Sequence, residues 1–284
     1  MKYLNKNIIF LLLFLSINYT TKGQENNTLG VEDSTSTIDS RFLDRFHSHR
    51  PMYLGISKSK PHYSEENLLF IKFQISFRYD IANIYTSKKS LFNVKLDVAY
   101  TQTSFWDIES KSQPFYDNSY KPGAFFMIQN IQGNSWSWLD RFDIESGYQH
   151  HSNGRDGVSS RYIDWLYFQP KFTWRIYDMS SFTFSPMIWH YLTKSTLNDD
   201  IIKYWGRFNL EFVYLTDSGF QLRTMINPAN ERTSSMFQLT YPLNKLIKPL
   251  NFYLMATYYN GVGETILDYN KTAKGFIFGI SLTR

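Results

Sequence analysis

The sequence predicts an all-β protein, a transmembrane antiparallel β-barrel of about 12 strands. Apolar and polar residues alternate with period two from residue 50 almost to the C terminus, as they do in strands with one apolar face. Aromatic residues make up 18% of the chain, and the rims of membrane barrels collect Tyr, Trp and Phe. Beyond the N-terminal leader, no apolar run reaches the roughly eighteen residues of a transmembrane helix.

The alternation divides the chain from residue 50 onward into about twelve strands. In one of them, Leu69, Ile71 and Phe73 are separated by polar residues such as Lys72 and Gln74. A soluble β-sandwich is the alternative, but these strands exceed its usual length of about 5–6 residues. The predicted strands are 50–57, 67–80, 91–105, 123–131, 136–151, 161–176, 181–193, 201–216, 219–227, 233–242, 250–260 and 274–283.

The N terminus resembles a secretory signal. Lys2 and Lys6 precede an apolar run, Ile8 to Ile17, that is too short to span a bilayer. We therefore predict a signal peptide over residues 1–23. Residues 24–49 are polar and lack periodicity, which predicts a periplasmic N-terminal segment ahead of the barrel domain, residues 50–284.

Composition excludes two other classes of protein. The formal net charge is +5, but the leader contributes three lysines and no acidic residue, so the remaining chain carries only +2. This small charge predicts no nucleic-acid partner. The chain contains no cysteine, which excludes a disulfide-stapled scaffold.

One predicted hairpin carries three residues with the chemistry of a hydrolase. His150 and Ser152 are two positions apart in a strand, so their side chains point to the same face. Asp164 lies on the returning strand and can reach the histidine. This is the set of nucleophile, general base and orienting carboxylate that acyl transfer needs.

The face that these three residues share is the apolar face of both strands. In a soluble protein that face would be the core, and substrate could not reach the site. The site is accessible if the apolar face contacts lipid and the polar face lines the barrel lumen. His151, which has the opposite parity, then points into the lumen and has a structural role.

The chain resembles the outer membrane phospholipase A family, which is calcium-dependent. The resemblance covers roughly residues 50–284 and depends on several sequence blocks. These are Lys72-Phe-Gln-Ile-Ser-Phe, Tyr100-Thr-Gln-Thr-Ser-Phe-Trp, Pro114-Phe-Tyr-Asp-Asn-Ser-Tyr-Lys-Pro, His150-His-Ser-Asn-Gly-Arg, Ser159-Ser-Arg, Lys203-Tyr-Trp-Gly and Gly261-Val-Gly-Glu-Thr-Ile-Leu-Asp-Tyr-Asn.

The resemblance implies a phospholipase in the bacterial outer membrane that hydrolyses acyl esters of phospholipids and lysophospholipids. It implies that His150 is the base, that Ser152 is the nucleophile, and that Asp164 occupies the position of an orienting asparagine. The resemblance also implies that the backbone N–H of Gly154 stabilises the oxyanion. A homodimer is implied as the active form, with Gln102 at the subunit interface.

The resemblance also implies a Ca²⁺ site beside the nucleophile. Its ligands correspond to the Arg155 carbonyl, the Ser160 hydroxyl and, from the partner subunit, a carbonyl at the position of Ser112. Oxygen ligands of irregular geometry suit calcium.

The chain departs from the family pattern at three points: Asp164 replaces the asparagine, the chain does not end in an aromatic residue, and the loop before Pro114 is two residues shorter.

Two alternative functions remain open from the sequence: a non-enzymatic barrel that acts as a pore or structural protein, and a soluble secreted esterase. Preference for the A1 or A2 ester, head group and acyl chain is not encoded in any motif.

Overall fold

The structure is a computed structural model that describes residues 40–59, 68–86, 93–131, 138–177 and 180–284. The predicted signal peptide, residues 1–23, and residues 24–39 lie outside the described residues. Within the described ranges, no helix is long and apolar enough to cross a bilayer.

The described chain consists almost entirely of antiparallel strands. Short helices occur at Ser40–Leu43 (α1) and Ile202–Trp205 (α2), and 3₁₀ turns at Gly157–Ser159, Thr196–Asn198 and Leu243–Lys245. The strands are β1 Phe46–Ser48, β2 Tyr53–Ser59, β3 Leu68–Thr86, β4 Asn93–Asp107, β5 Phe115–Gln129, β6 Arg141–Ser152, β7 Tyr162–Tyr177, β8 Ser180–Lys194, β9 Phe208–Leu215, β10 Gln221–Asn227, β11 Ser234–Pro242, β12 Tyr253–Val262 and β13 Thr272–Ser281.

The sheet closes on itself. Each strand from β2 to β13 pairs with the next one in the chain, and β13 pairs with β2 in the register Gly279↔Gly55. β1 and β2 pair with successive stretches of the same edge of β3, and Phe46 of β1 lies opposite Tyr79. The predicted antiparallel barrel of about twelve strands is confirmed.

Several boundaries differ from the predicted ones; β3, for example, runs to Thr86, six residues beyond its expected end. The expected strand 201–216 begins only at Phe208, because residues 201–205 form a helical turn in which the Trp205 N–H donates to the Ile201 carbonyl (2.8 Å). β5 begins at Phe115, eight residues before the expected start, so the Pro114 block is mostly strand. Phe46–Ser48, within the segment predicted as a periplasmic lead-in, pairs with β3.

The exposed face of the barrel is apolar and the buried face is polar. Phe278 is 62% exposed and Ile188 57% exposed, whereas Asp143 and Gln169 are buried. A soluble β-sandwich would show the opposite distribution. The exposed apolar side chains form the lipid-facing surface of a membrane barrel, and the buried polar side chains fill its lumen.

Charges in the lumen are paired. Glu145 accepts hydrogen bonds from Arg50 (2.9 Å), Tyr167 (2.9 Å) and His49 (3.2 Å). Buried charges are costly unless they are paired and hydrogen-bonded, so these contacts are what permits a charged interior. Further lumenal pairs are Lys72–Glu264 (2.9 Å) and Arg223–Glu211 (2.5 Å).

The loop between β12 and β13 packs across the same end of the barrel as the β6–β7 loop. Ile266 is fully buried, and the Tyr269 hydroxyl donates to Asp200 in the β8–β9 connection (2.6 Å). The Leu267 N–H donates to Asp117 at the start of β5 (3.2 Å). The β12–β13 loop is therefore tied to the β8–β9 connection and to the start of β5.

We expect Glu211→Leu to destabilise the barrel by about 3–5 kcal/mol, because it leaves the guanidinium of Arg223 buried without its partner. The double variant Glu211→Leu/Arg223→Met removes both charges and should recover most of that loss. Urea unfolding in lipid vesicles measures the two free energies. A single variant no less stable than the double variant would contradict the pairing.

Candidate active site

The hairpin of β6 and β7 brings two of the three predicted catalytic residues into contact. His150 lies directly opposite Asp164, and its Nδ1 is 2.8 Å from Asp164 Oδ1. Both side chains are on the lipid-facing side of the barrel, where His150 is 31% and Asp164 16% exposed. A carboxylate at Nδ1 fixes the tautomer in which Nε2 can accept a proton.

Ser152 lies two residues beyond His150, on the same outward face and opposite Tyr162. The Tyr162 ring stacks against the imidazole, with a centroid separation of 6.4 Å. Among the described residues, the imidazole bonds to Asp164 and not to the Ser152 hydroxyl. Hydrogen bonds to a nucleophile are often long without substrate and tighten when it binds.

Two partners of Asp164 were not found from the sequence. The Tyr148 hydroxyl donates to Oδ1 (2.5 Å), and the Thr193 hydroxyl of β8 donates to Oδ2. Tyr148 could have been found, since it is two residues before His150 on the same face. Thr193 could not, because parity places it on the lumenal side with Tyr191.

A β-bulge explains the position of Thr193. Asp164 pairs with Thr193, but the next residue, Trp165, pairs with Tyr191, so Leu192 is an extra residue. A bulge of one residue reverses the side-chain alternation of the strand beyond it. Thr193 therefore shares the outward face with Asp164.

Asn153 organises the loop that follows β6. Its side chain is buried; it donates to the Ser159 carbonyl (2.8 Å) and accepts from the backbone N–H groups of Arg161 (3.0 Å) and Arg155 (3.3 Å). The sequence reading gave Asn153 only the turn preference of its residue type. Its three hydrogen bonds hold both ends of the loop that contains Gly154, Arg155 and Ser160.

Gly154 occupies a position that only glycine suits. Its φ of +65° lies in the left-handed region. A Cβ atom there would also come within 2.8 Å of the Tyr120 ring. Gly154, whose backbone N–H the resemblance implies as the oxyanion donor, lies in the loop that follows the Ser152 strand.

Arg155 and Ser160, the predicted metal ligands of this chain, lie on that same loop. Ser160 ends the 3₁₀ turn and donates its N–H to the Gly157 carbonyl (3.1 Å). The Arg155 guanidinium donates to the carbonyls of Phe115 (3.4 Å) and Tyr116, which joins the loop to β5. Ser112 lies in the exposed β4–β5 loop, with a left-handed φ of 71°.

The donor set fits a hard cation. Among the described residues, no cluster of three or more His, Asp, Glu or Cys side chains could hold a metal ion. A cation held by the ligands that the resemblance implies at this loop would bind neutral carbonyl and hydroxyl oxygens, with water completing its coordination. That is ligation of the kind calcium accepts and zinc does not.

Gln102, the predicted dimer residue, lies on the outward face of β4. It pairs with Tyr120, which in turn pairs with Ser152, so Gln102 and Ser152 lie in one cross-strand row. Gln102 accepts from the Tyr100 hydroxyl (2.8 Å) and donates to Ser104 (3.0 Å). These contacts form a polar strip within an apolar surface.

The fold and the site define a class of protein: an outer-membrane-type β-barrel with a serine, a histidine and a carboxylate on its lipid-facing surface. The family model described as Phospholipase A1 matches residues 37–282. The chain belongs to the phospholipase A1 family.

Two relatives agree with this assignment. The phospholipase A1 of Escherichia coli strain K12 is 28% identical over 204 residues, 70% of this chain and 65% of that protein, so the match spans just under two thirds of the relative. The phospholipase A1 of Proteus vulgaris is 26% identical over 211 residues, 72% of this chain and 67% of that protein.

Two solved structures share the fold. Outer membrane phospholipase A from Escherichia coli superposes with a TM-score of 0.70 at 22% identity, covering 87% of this chain and 97% of that one. The Salmonella typhi outer membrane phospholipase, solved as a dimer with bound calcium, gives 0.69 at 22% identity, covering 84% of this chain and 92% of that one.

We expect Asn153→Ala to loosen the β6–β7 loop without unfolding the barrel, because a buried group with three hydrogen bonds is lost, at a cost of about 1–3 kcal/mol. Hydrogen exchange should accelerate at residues 153–161 and stay unchanged in β10–β12. Asn260→Ala, which removes one exposed hydrogen bond from Arg232, is the control. Equal loop protection in Asn153→Ala and wild type would argue against this role for Asn153.

Proposed function

We propose that this protein is a calcium-dependent outer membrane phospholipase that hydrolyses acyl ester bonds of phospholipids, with A1, A2 and lysophospholipase activity. The observation that carries the proposal is the His150–Asp164 hydrogen bond beside Ser152, on the outward face of the barrel. Family membership and the relatives named phospholipase A1 support the substrate class.

In the proposed reaction, Nε2 of His150 takes the Ser152 hydroxyl proton as Oγ attacks the ester carbonyl of the lipid. Asp164 holds Nδ1–H and stabilises the imidazolium that forms. The imidazolium then protonates the departing lysophospholipid oxygen, which leaves an acyl group on Ser152. His150 next removes a proton from water as the water attacks the acyl-enzyme. The imidazolium then returns that proton to Ser152 Oγ, and the fatty acid is released.

The developing oxyanion needs a positive or hydrogen-bonding neighbour. The Gly154 N–H is the proposed donor within the chain. Calcium, held by the Arg155 carbonyl, the Ser160 hydroxyl and a carbonyl of the partner subunit's Ser112, would supply positive charge next to it. In support, Gly154, Arg155 and Ser160 lie on one loop that Asn153 holds.

The outward position of the site determines how substrate arrives. Lipid reaches Ser152 by lateral diffusion in the bacterial outer membrane, so the enzyme needs no internal pocket. A homodimer is the proposed active form, because Gln102 lies on the same outward face two strands from Ser152. The Salmonella typhi structure, solved as a calcium-bound dimer, supports this arrangement.

We expect Ser152→Ala to lower fatty-acid release from phospholipid micelles by at least about 10³-fold, because the nucleophile is lost. His150→Ala should have a similar effect. Release is measured with calcium present, by titrating the liberated acid.

Two variants provide matched controls for this experiment. Ser146→Ala removes another serine of β6 whose hydroxyl bonds to the Tyr167 carbonyl (2.9 Å), and His190→Ala removes an exposed histidine of β8. Both should keep near-wild-type activity. Hydrolysis that survives Ser152→Ala would leave a non-enzymatic barrel, a pore or structural protein, as the better reading.

We expect Ser160→Ala to raise the free calcium concentration needed for half-maximal activity by about tenfold, the effect of losing one ligand worth about 1.4 kcal/mol. A chelator should abolish the activity of the wild-type protein. Ser159→Ala is the neighbouring control, since the Ser159 hydroxyl is not among the proposed ligands. An identical calcium response of the two variants would remove Ser160 from the site.

A further inference from the structure

Asp164 receives hydrogen bonds from both neighbouring strands. On β6, His150 Nδ1 and the Tyr148 hydroxyl bond to Oδ1, at 2.8 and 2.5 Å. On β8, the Thr193 hydroxyl bonds to Oδ2. Each carboxylate oxygen therefore has a hydroxyl donor in addition to the one contact with the imidazole.

These donors surround a carboxylate at a position where its negative charge is energetically costly. Asp164 lies on the lipid-facing side, next to Leu166 and Phe168, which are exposed apolar residues. A charged group on such a surface is costly unless hydrogen bonds compensate for lost hydration. A carboxylate held from one side only could also rotate away from His150.

We propose that Tyr148 and Thr193 are positioning residues of the hydrolytic reaction, whose hydroxyls keep the Asp164 carboxylate turned toward His150. This inference rests on the proposed function. Neither residue touches the reacting atoms; both act through Asp164. The bulge at Leu192 is part of the arrangement, because it turns Thr193 to the outward face.

The competing explanation is structural. Tyrosines are common at the rims of membrane barrels, where the ring contacts lipid and the hydroxyl contacts water. A threonine at the end of a strand needs no special role. On that reading, loss of either hydroxyl would change stability alone, and the change would not depend on the residue at position 164.

A double-mutant cycle separates the two explanations. Tyr148→Phe and Thr193→Val are made singly and together, in the wild-type chain and in Asp164→Ala. In the wild-type chain, we expect kcat to fall about 10–100-fold for each hydroxyl, with little change in KM, as for the loss of a hydrogen bond to a charged group. In Asp164→Ala, neither change should lower activity further.

The readout must remain measurable when turnover is slow. Covalent labelling of Ser152 by a long-chain sulfonyl fluoride accumulates over hours and is quantified by mass spectrometry, alongside fatty-acid release. Equal fold losses in the wild-type and Asp164→Ala chains would overturn the proposal. So would unchanged kcat in Tyr148→Phe/Thr193→Val.

Conservative variants and controls complete the test. Thr193→Ser keeps the hydroxyl and loses only the methyl group. It should therefore retain activity within about threefold of wild type, whereas a role for the methyl group would predict a fall like that of Thr193→Val. Tyr214→Phe and Thr272→Val alter exposed outward residues of β9 and β13 and should leave kcat unchanged. If these controls lower kcat as much as Tyr148→Phe and Thr193→Val do, a specific role for Tyr148 and Thr193 is contradicted.

Failure of this inference is distinguishable from failure of the proposed function. If Ser152→Ala retains hydrolysis, the function itself is wrong. If Ser152→Ala is inactive while Tyr148→Phe and Thr193→Val act independently of Asp164, the hydrolase stands and the positioning role is wrong.

Discussion

Hydrogen bonding of the backbone in hydrocarbon constrains everything else in this protein. Without water, every strand must be paired on both edges, so a membrane sheet has to close. The pairing of β13 with β2 supplies that closure. Once the cylinder is closed, successive side chains can only face lipid or lumen, and apolar and polar residues separate accordingly. The position of each functional residue then depends on its parity within its strand.

Parity is also why much of the site could be predicted. Alternation placed His150 and Ser152 on one face, and the length of the connection allowed Asp164 to lie opposite His150. The twelve-stranded barrel followed from the same alternation repeated along the chain. Within regular strands, counting residues was sufficient to assign side chains to a face, whereas strand ends were harder to predict, as the early start of β5 shows.

Irregular positions defeated the prediction, each for a local physical reason. The extra residue Leu192 reverses parity, so Thr193 meets Asp164 although counting places it in the lumen. Residues 201–205 alternate in polarity like a strand but form a helical turn. Ile201 is fully buried there, and its carbonyl accepts a hydrogen bond within the turn. The strand at Phe46–Ser48 has too few residues for any periodicity to be visible.

The lumen and the outer surface solve the same electrostatic problem differently. In the lumen, Glu145 is neutralised by Arg50 and enclosed by His49 and Tyr167. On the outer surface, Asp164 contacts no lysine or arginine among its described partners and depends on Tyr148, Thr193 and His150. Hydroxyl donors hold a carboxylate without cancelling its charge. That charge remains available to the imidazole.

This difference bears on how activity can be controlled. In the proposed mechanism, the contact between His150 and Asp164 exists before substrate arrives, so proton transfer needs no rearrangement. The positive charge proposed to stabilise the oxyanion, by contrast, would come from calcium. That calcium would be held by neutral oxygens of Arg155 and Ser160 together with a carbonyl of the partner subunit's Ser112. Neutral ligands on an exposed loop bind calcium less tightly than a carboxylate cage does. Under the proposed mechanism, such a hydrolase can be present in the membrane with His150 and Asp164 already in contact and still remain slow until calcium and a second subunit complete the site.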